Sequence, residues 1–144
     1  MHEKLKLAAL RAMIPRMPFN KTLGMRVARA HKDGVTIEIP LREELMNVAG
    51  VLHGGVTATI ADAAVGVAIW HHFGGRRRAT TTELKINYFR PIERGKVVAR
   101  SRLLRVGKHL VVGSVEITDA DGNSAGFATV TYMLLDAAPA HRGG

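Results

Sequence analysis

One carboxylate, one asparagine, one histidine and a glycine pair stand out in the run Asn47-Val48-Ala49-Gly50-Val51-Leu52-His53-Gly54-Gly55 and the apolar stretch that follows it to Trp70. From Gly54 to Trp70 the strongly polar side chains are Thr57, Thr59 and Asp62. A carboxylate in such surroundings can activate water as a general base or attack an electrophilic carbon itself. A helix beginning at Gly54 presents N–H groups without intrahelical partners at the positive end of its dipole, a place suited to an oxygen that is gaining negative charge. Each residue also has an ordinary structural role. Asp62 can be a hydrogen-bonded core acid, Asn47 a turn residue, His53 a helix-start cap, and Gly54-Gly55 a tight approach to the helix.

The elements that must hold these groups follow from patterning. The run Gly54 to Trp70 has to lie in a membrane or inside the protein, and Asp62 decides for the protein. A mid-span carboxylate costs about 2.5 to 3.5 kcal/mol in a bilayer, and the run is short of the ~20 residues needed to cross one. No membrane partner is expected. As a helix, the run divides into a bulky stripe (Val56, Ile60, Ala63, Val67, Trp70) suited to a sheet and a small stripe (Gly55, Thr59, Asp62, Gly66) that would admit a second backbone.

Upstream, residues 2–14 alternate Leu, Ala and Met with Lys and Arg, predicting an amphipathic N-terminal helix within residues 1–17 that Pro15 and Pro18 end. Residues 23–30 and 35–40 read as strands around the turn at Lys32-Asp33-Gly34. Downstream, residues 79–90, 97–106, 110–119 and 124–135 read as four strands spaced as in an antiparallel meander. Residues 137–144 read as a frayed tail after a single domain of residues 1–136.

Composition narrows the function. The 144 residues are 47% apolar with no cysteine, which removes disulfide and thiolate chemistry. The opening Met-His-Glu-Lys-Leu-Lys lacks the apolar core of a secretory signal, so a cytoplasmic protein is expected. A formal charge of +9, from 21 basic and 12 acidic side chains, points to an anionic partner. With 5% aromatic residues and no nucleic-acid module, that partner is a phosphate-bearing small molecule rather than nucleic acid. The loop Arg76-Arg77-Arg78 reads first as a solvated turn and second as a phosphate contact. His71 and His72 are adjacent on a helix end and point apart, no His-Glu-x-x-His pattern occurs, and no metal or cofactor is expected.

A helix hydrophobic all round needs a cover, and a six-stranded antiparallel sheet wrapped around it supplies one, giving an α+β domain with an extra N-terminal helix. This order, with Asn47, His53-Gly54-Gly55, Asp62 and Tyr88-Phe89-Arg90-Pro91, resembles the hotdog-fold acyl-CoA thioesterases of the phenylacetate-pathway (PaaI-like) group and their thioesterase-superfamily-member-2-like relatives. The resemblance spans roughly residues 20–135. It implies hydrolysis of an aromatic or medium-chain acyl-CoA, with Asp62 as the helix carboxylate and the Gly54 amide as oxyanion donor. It further implies Asn47 as the amide that positions thioester or water, His53 as a supporting histidine, and Thr81 as a hydroxyl that helps position water. Gly55, Arg90, Lys108 and His109 are the candidate substrate contacts.

A non-catalytic acyl-CoA sensor and a hotdog dehydratase are the alternatives. The presence of Asp62 speaks against the first, and the absence of a hydratase motif against the second. Gly54 and Asp62 are eight residues apart, about 12 Å along a helix axis, too far to serve one carbonyl. If both act on one thioester, the site is shared between two chains, in a homodimer or a homotetramer built as a dimer of dimers.

Overall fold

The computed structural model describes residues 3–135; the expected tail lies outside them. Helix α1 (Leu7–Met13) runs through a single 3₁₀ turn, Ile14–Arg16, to a short helix α2 (Pro18–Thr22). Strands β1 (Arg26–Ala30) and β2 (Val35–Pro40) form a hairpin, and a 3₁₀ turn at Glu43–Leu45 leads to α3 (Gly54–His72). Four strands complete the chain: β3 (Arg78–Tyr88), β4 (Lys96–Val106), β5 (Leu110–Thr118) and β6 (Ser124–Leu135).

The strands make one antiparallel sheet in the order β1-β2-β4-β5-β6-β3, and α3 packs against β2 through β6. This is the hotdog arrangement expected from the sequence. Four details differ. The N-terminal helix is shorter than residues 2–14, and Pro18 begins a helix rather than ending one. Proline suits the first helical position, where its missing N–H has no partner to lose and its fixed φ is already helical.

The four C-terminal strands are not a simple meander. β4, β5 and β6 are, but β3 pairs with β6 at the far edge, so the connection through Pro91 carries the chain across the sheet. The face that α3 buries is also turned from the expected stripe. Thr57, Ile60, Ala61, Ala64, Val65, Val67, Ala68 and Ile69 are buried, so Ile60 and Val67 of the expected stripe face the core while Val56, Ala63 and Trp70 are only half-buried. The helix is apolar on nearly every side, so periodicity alone could not orient it.

The core is β-branched and small: Val35, Ile37 and Ile39 of β2, Val97 and Ala99 of β4, Val111, Val115 and Ile117 of β5 and Val130 of β6 are fully buried against Ile60, Val65 and Ile69 of α3. At the far end of the helix His71 ties down the N-terminal segment. Its two ring nitrogens lie 2.7 Å from the Leu5 carbonyl and 2.9 Å from the His31 carbonyl. Among the described residues no helix is long and apolar enough to cross a membrane.

Candidate active site

The start of α3 is built as the sequence requires. His53 is the N-cap, with extended backbone, and its Nδ1 accepts the Gly55 N–H at 2.9 Å. A Cβ on residue 55 would lie 2.9 Å from that nitrogen, so Gly55 makes room for the cap. The Gly54 N–H meets no acceptor among the described residues. Its carbonyl accepts the Tyr88 hydroxyl at 2.7 Å, which fixes the first turn to the end of β3.

Asn47 sits on a small hairpin closed by the Met46–Leu52 bridge and by the His53 N–H on the Leu45 carbonyl. Its Oδ1 accepts the N–H groups of Ala49 at 2.9 Å and Val51 at 3.3 Å, while its amide nitrogen has no acceptor among the described residues. The turn role and the donor role are therefore compatible. The hairpin ties the Asn47 segment to the residues that lead into the start of α3.

Asp62 lies two turns further along. Thr81 Oγ1 donates to its Oδ1 at 2.7 Å, and so does the Tyr132 hydroxyl at 2.7 Å. Thr81 and Tyr132 are direct partners across β3 and β6, which places both hydroxyls on the face that looks at α3. The register slips just after Thr81, so that Thr82 is a bulge residue and Leu84, Ile86 and Tyr88 face inward below it. Burial pushes the Tyr132 phenol far above its ordinary range, and the hydrogen bond to Asp62 adds to the rise. The phenol therefore keeps its proton and acts as a donor.

Gly54 and Asp62 open into separate hollows. Gly54, Thr57, Tyr88, Phe89 and Arg90 line one of 280 Å³. Asp62 opens into the other, of 370 Å³, whose remaining wall is largely apolar and includes Met17, Phe19, Ala63, Val67 and Trp70. Within one chain the structure puts His53 and Gly54 at the start of α3 with Asn47 on the hairpin before it, and joins Asp62 to Thr81, but Gly54 and Asp62 face different hollows.

The candidate cations are divided as well. Arg90 is exposed beside the Gly54 hollow. Lys108 and His109 are exposed on the β4–β5 turn, where the His109 carbonyl accepts the Leu134 N–H near the opposite end of β3. The Arg76–Arg78 loop leaves the C-terminal end of α3, with Arg77 stacked on Phe73 at 5.7 Å. Among the described residues no three His, Asp or Glu side chains gather as metal ligands.

Tyr132 escaped the sequence reading, and Tyr88 entered it only within the Tyr88-Phe89-Arg90-Pro91 motif, without its bond to Gly54. Tyr132 falls in the inward alternation of β6 with Ala128, Val130 and Leu134 and reads there as core. A signal did exist, since a buried phenol needs a hydrogen-bond partner, but that partner lies 70 residues away.

The fold is that of a hotdog domain. The thioesterase-superfamily profile matches residues 49–125, and the chain belongs to that superfamily; it is a thioester hydrolase. The medium/long-chain acyl-CoA thioesterase YigI of Escherichia coli is 30% identical over 135 residues, covering 82% of this chain and 86% of that protein. A thioesterase-family protein of Silicibacter pomeroyi superposes with a TM-score of 0.80 at 27% identity, covering 88% of this chain and 95% of the other. For the fold alone, a Haemophilus influenzae thioesterase superposes with a TM-score of 0.87 at 22% identity over 99% of this chain and 100% of its own.

Proposed function

We propose that the protein hydrolyses acyl-CoA thioesters with a medium-chain or aromatic acyl group, using Asp62 as general base or nucleophile and the Gly54 N–H as oxyanion donor. The observation that carries the reading is a carboxylate held by two hydroxyls at the side of a largely apolar hollow. An acyl group fits such a wall and brings its carbonyl toward the carboxylate.

In the base route Asp62 takes a proton from water as the water oxygen bonds to the thioester carbon. The oxyanion that forms is met by the Gly54 N–H and the Asn47 amide. The C–S bond then breaks, and the departing CoA thiolate takes from Asp62 the proton that came from water. In the nucleophile route the Asp62 carboxylate displaces the thiolate to form a mixed anhydride, which water cleaves.

The separation of the two hollows supports a site completed by a second chain. A two-fold related α3 running antiparallel places Asp62 of one subunit beside Gly54 of its partner. Gly55 is exposed and Thr59 half-exposed on the face that such a helix would meet. Gly66 does not contribute to this opening, because Tyr132 of its own chain fills the space above it. Arg90, beside the Gly54 hollow, is the candidate cation for the CoA phosphates.

The test is thiol release across a panel of aromatic, medium-chain and long-chain acyl-CoAs for the wild type, Asp62→Asn and Asp62→Ala. Loss of the carboxylate is expected to lower kcat by about 10² to 10⁴. Near wild-type turnover in both variants would remove Asp62 from the chemistry.

A further inference from the structure

We infer that Tyr132 is a positioning residue for Asp62, pinning Oδ1 from the sheet side so that Oδ2 is the oxygen presented to the reacting centre. The inference rests on the reading of Asp62 as base or nucleophile. Its starting point is an asymmetry in the carboxylate. Oδ1 receives the hydroxyls of Thr81 and Tyr132, both at 2.7 Å, whereas Oδ2 receives no donor among the described residues. Two donors on one oxygen fix the rotation of the carboxylate plane. The lone pairs of the other oxygen stay available for a proton or a new bond.

Three further features are arranged around this contact. The Tyr132 hydroxyl also lies 2.9 Å from the backbone carbonyl of Asp62, so its single proton is shared between the nearer Oδ1 and the main chain of the same residue. Gly66 stands one turn beyond Asp62 on the same helix face. A Cβ there would lie 2.8 Å from the Tyr132 oxygen and 3.3 Å from its ring carbon, so the phenol reaches the carboxylate only over a glycine. Finally, the pairing of Thr81 with Tyr132 makes both donors parts of one rigid two-strand unit. A helix carbonyl alone would have satisfied a buried phenol. The placement on Oδ1 is what links Tyr132 to the chemistry.

Tyr132→Phe keeps the ring and removes the donor; Gly66→Ala keeps the donor and displaces it. Both are made in the wild-type and Asp62→Asn backgrounds, and kcat, KM and thermal midpoint are measured with the acyl-CoA the wild type turns over fastest. Tyr132→Phe is expected to lower kcat about ten- to a hundredfold, the range for a hydrogen bond to a charged group, with KM changed less than about twofold. In the Asp62→Asn background it is expected to cause no further loss. Gly66→Ala is expected to reproduce the kcat defect and to add nothing to Tyr132→Phe.

Wild-type kcat in Tyr132→Phe beside a disabled Asp62→Asn overturns the inference and leaves the Asp62 reading intact. An equal proportional loss in both backgrounds identifies a general structural role and also overturns it. Near wild-type turnover in Asp62→Asn removes the Asp62 reading and the inference together. Should Tyr132→Phe lower the thermal midpoint enough to obscure kcat, Gly66→Ala decides between these outcomes alone.

Discussion

Glu38 shows how single residues set the working conditions of this fold. Its carboxylate sits 2.7 Å from Arg26 Nε and 2.8 Å from Lys96 Nζ, joining β1, β2 and β4. Burial acts to raise its pKa, but the hydrogen bonds from Lys96 and Arg26 outweigh it, and the group is held below the ordinary 4.5. A depressed folded pKa contributes stability that is present above the unfolded value and lost as pH falls through the folded one. Glu38→Gln is therefore expected to be less stable than wild type at about pH 7, with the gap closing as pH falls below the ordinary 4.5 in urea titrations. A gap that widens on acidification would contradict the sign. At the residue scale, types and spacing made Asn47, His53, Gly54 and Asp62 legible because they lie within sixteen positions of one another. Thr81 came from resemblance as a water-positioning hydroxyl, its 19-position contact to Asp62 emerged from the structure, and the 70-position contact from Tyr132 left no local trace.

At the scale of elements, β3 does most to organise the site. Its inward residues hold the first turn of α3 through Tyr88 and its third turn through Thr81, and the bulge at Thr82 lets both point inward. Strand side chains alternate with period two, so removing one residue turns everything on one side of the deletion over. Deleting Thr82 is expected to misdirect either Thr81 or the Leu84, Ile86 and Tyr88 set, lowering kcat on the order of 10² or more. A deletion protein with wild-type turnover and thermal midpoint would show that the bulge has no positioning role. Strands with clean alternation were legible to the residue, as in Val35–Pro40 and Ser124–Leu135. The position of β3 in the sheet was not. Neighbours in sequence usually pair, and only the burial of α3 beneath the sheet explains why the chain leaves β2 for the opposite edge. The orientation of α3 was hidden for a related reason, since a helix apolar all round carries no phase.

At the scale of the whole molecule, the separation of Gly54 from Asp62 is the fact that a functional account must answer. Both groups lie on one helix, about 12 Å apart along its axis, and face different hollows. In the proposed two-chain site, a second copy of the chain would supply each hollow with the group it lacks. The place of Asn47 on the hairpin that leads into α3 makes the arrangement testable, because the two halves of the site can be disabled on different chains. Asp62→Asn chains and Asn47→Ala chains, each inactive alone, are mixed under conditions of subunit exchange, and hybrid formation is verified by mass. One site of each hybrid then carries both intact groups and the other carries both lesions. With random exchange the account predicts recovery to about a quarter of wild-type activity, since half the dimers are hybrids and each has one working site. No recovery in proven hybrids, or a fully active monomer by light scattering at assay concentration, would contradict it.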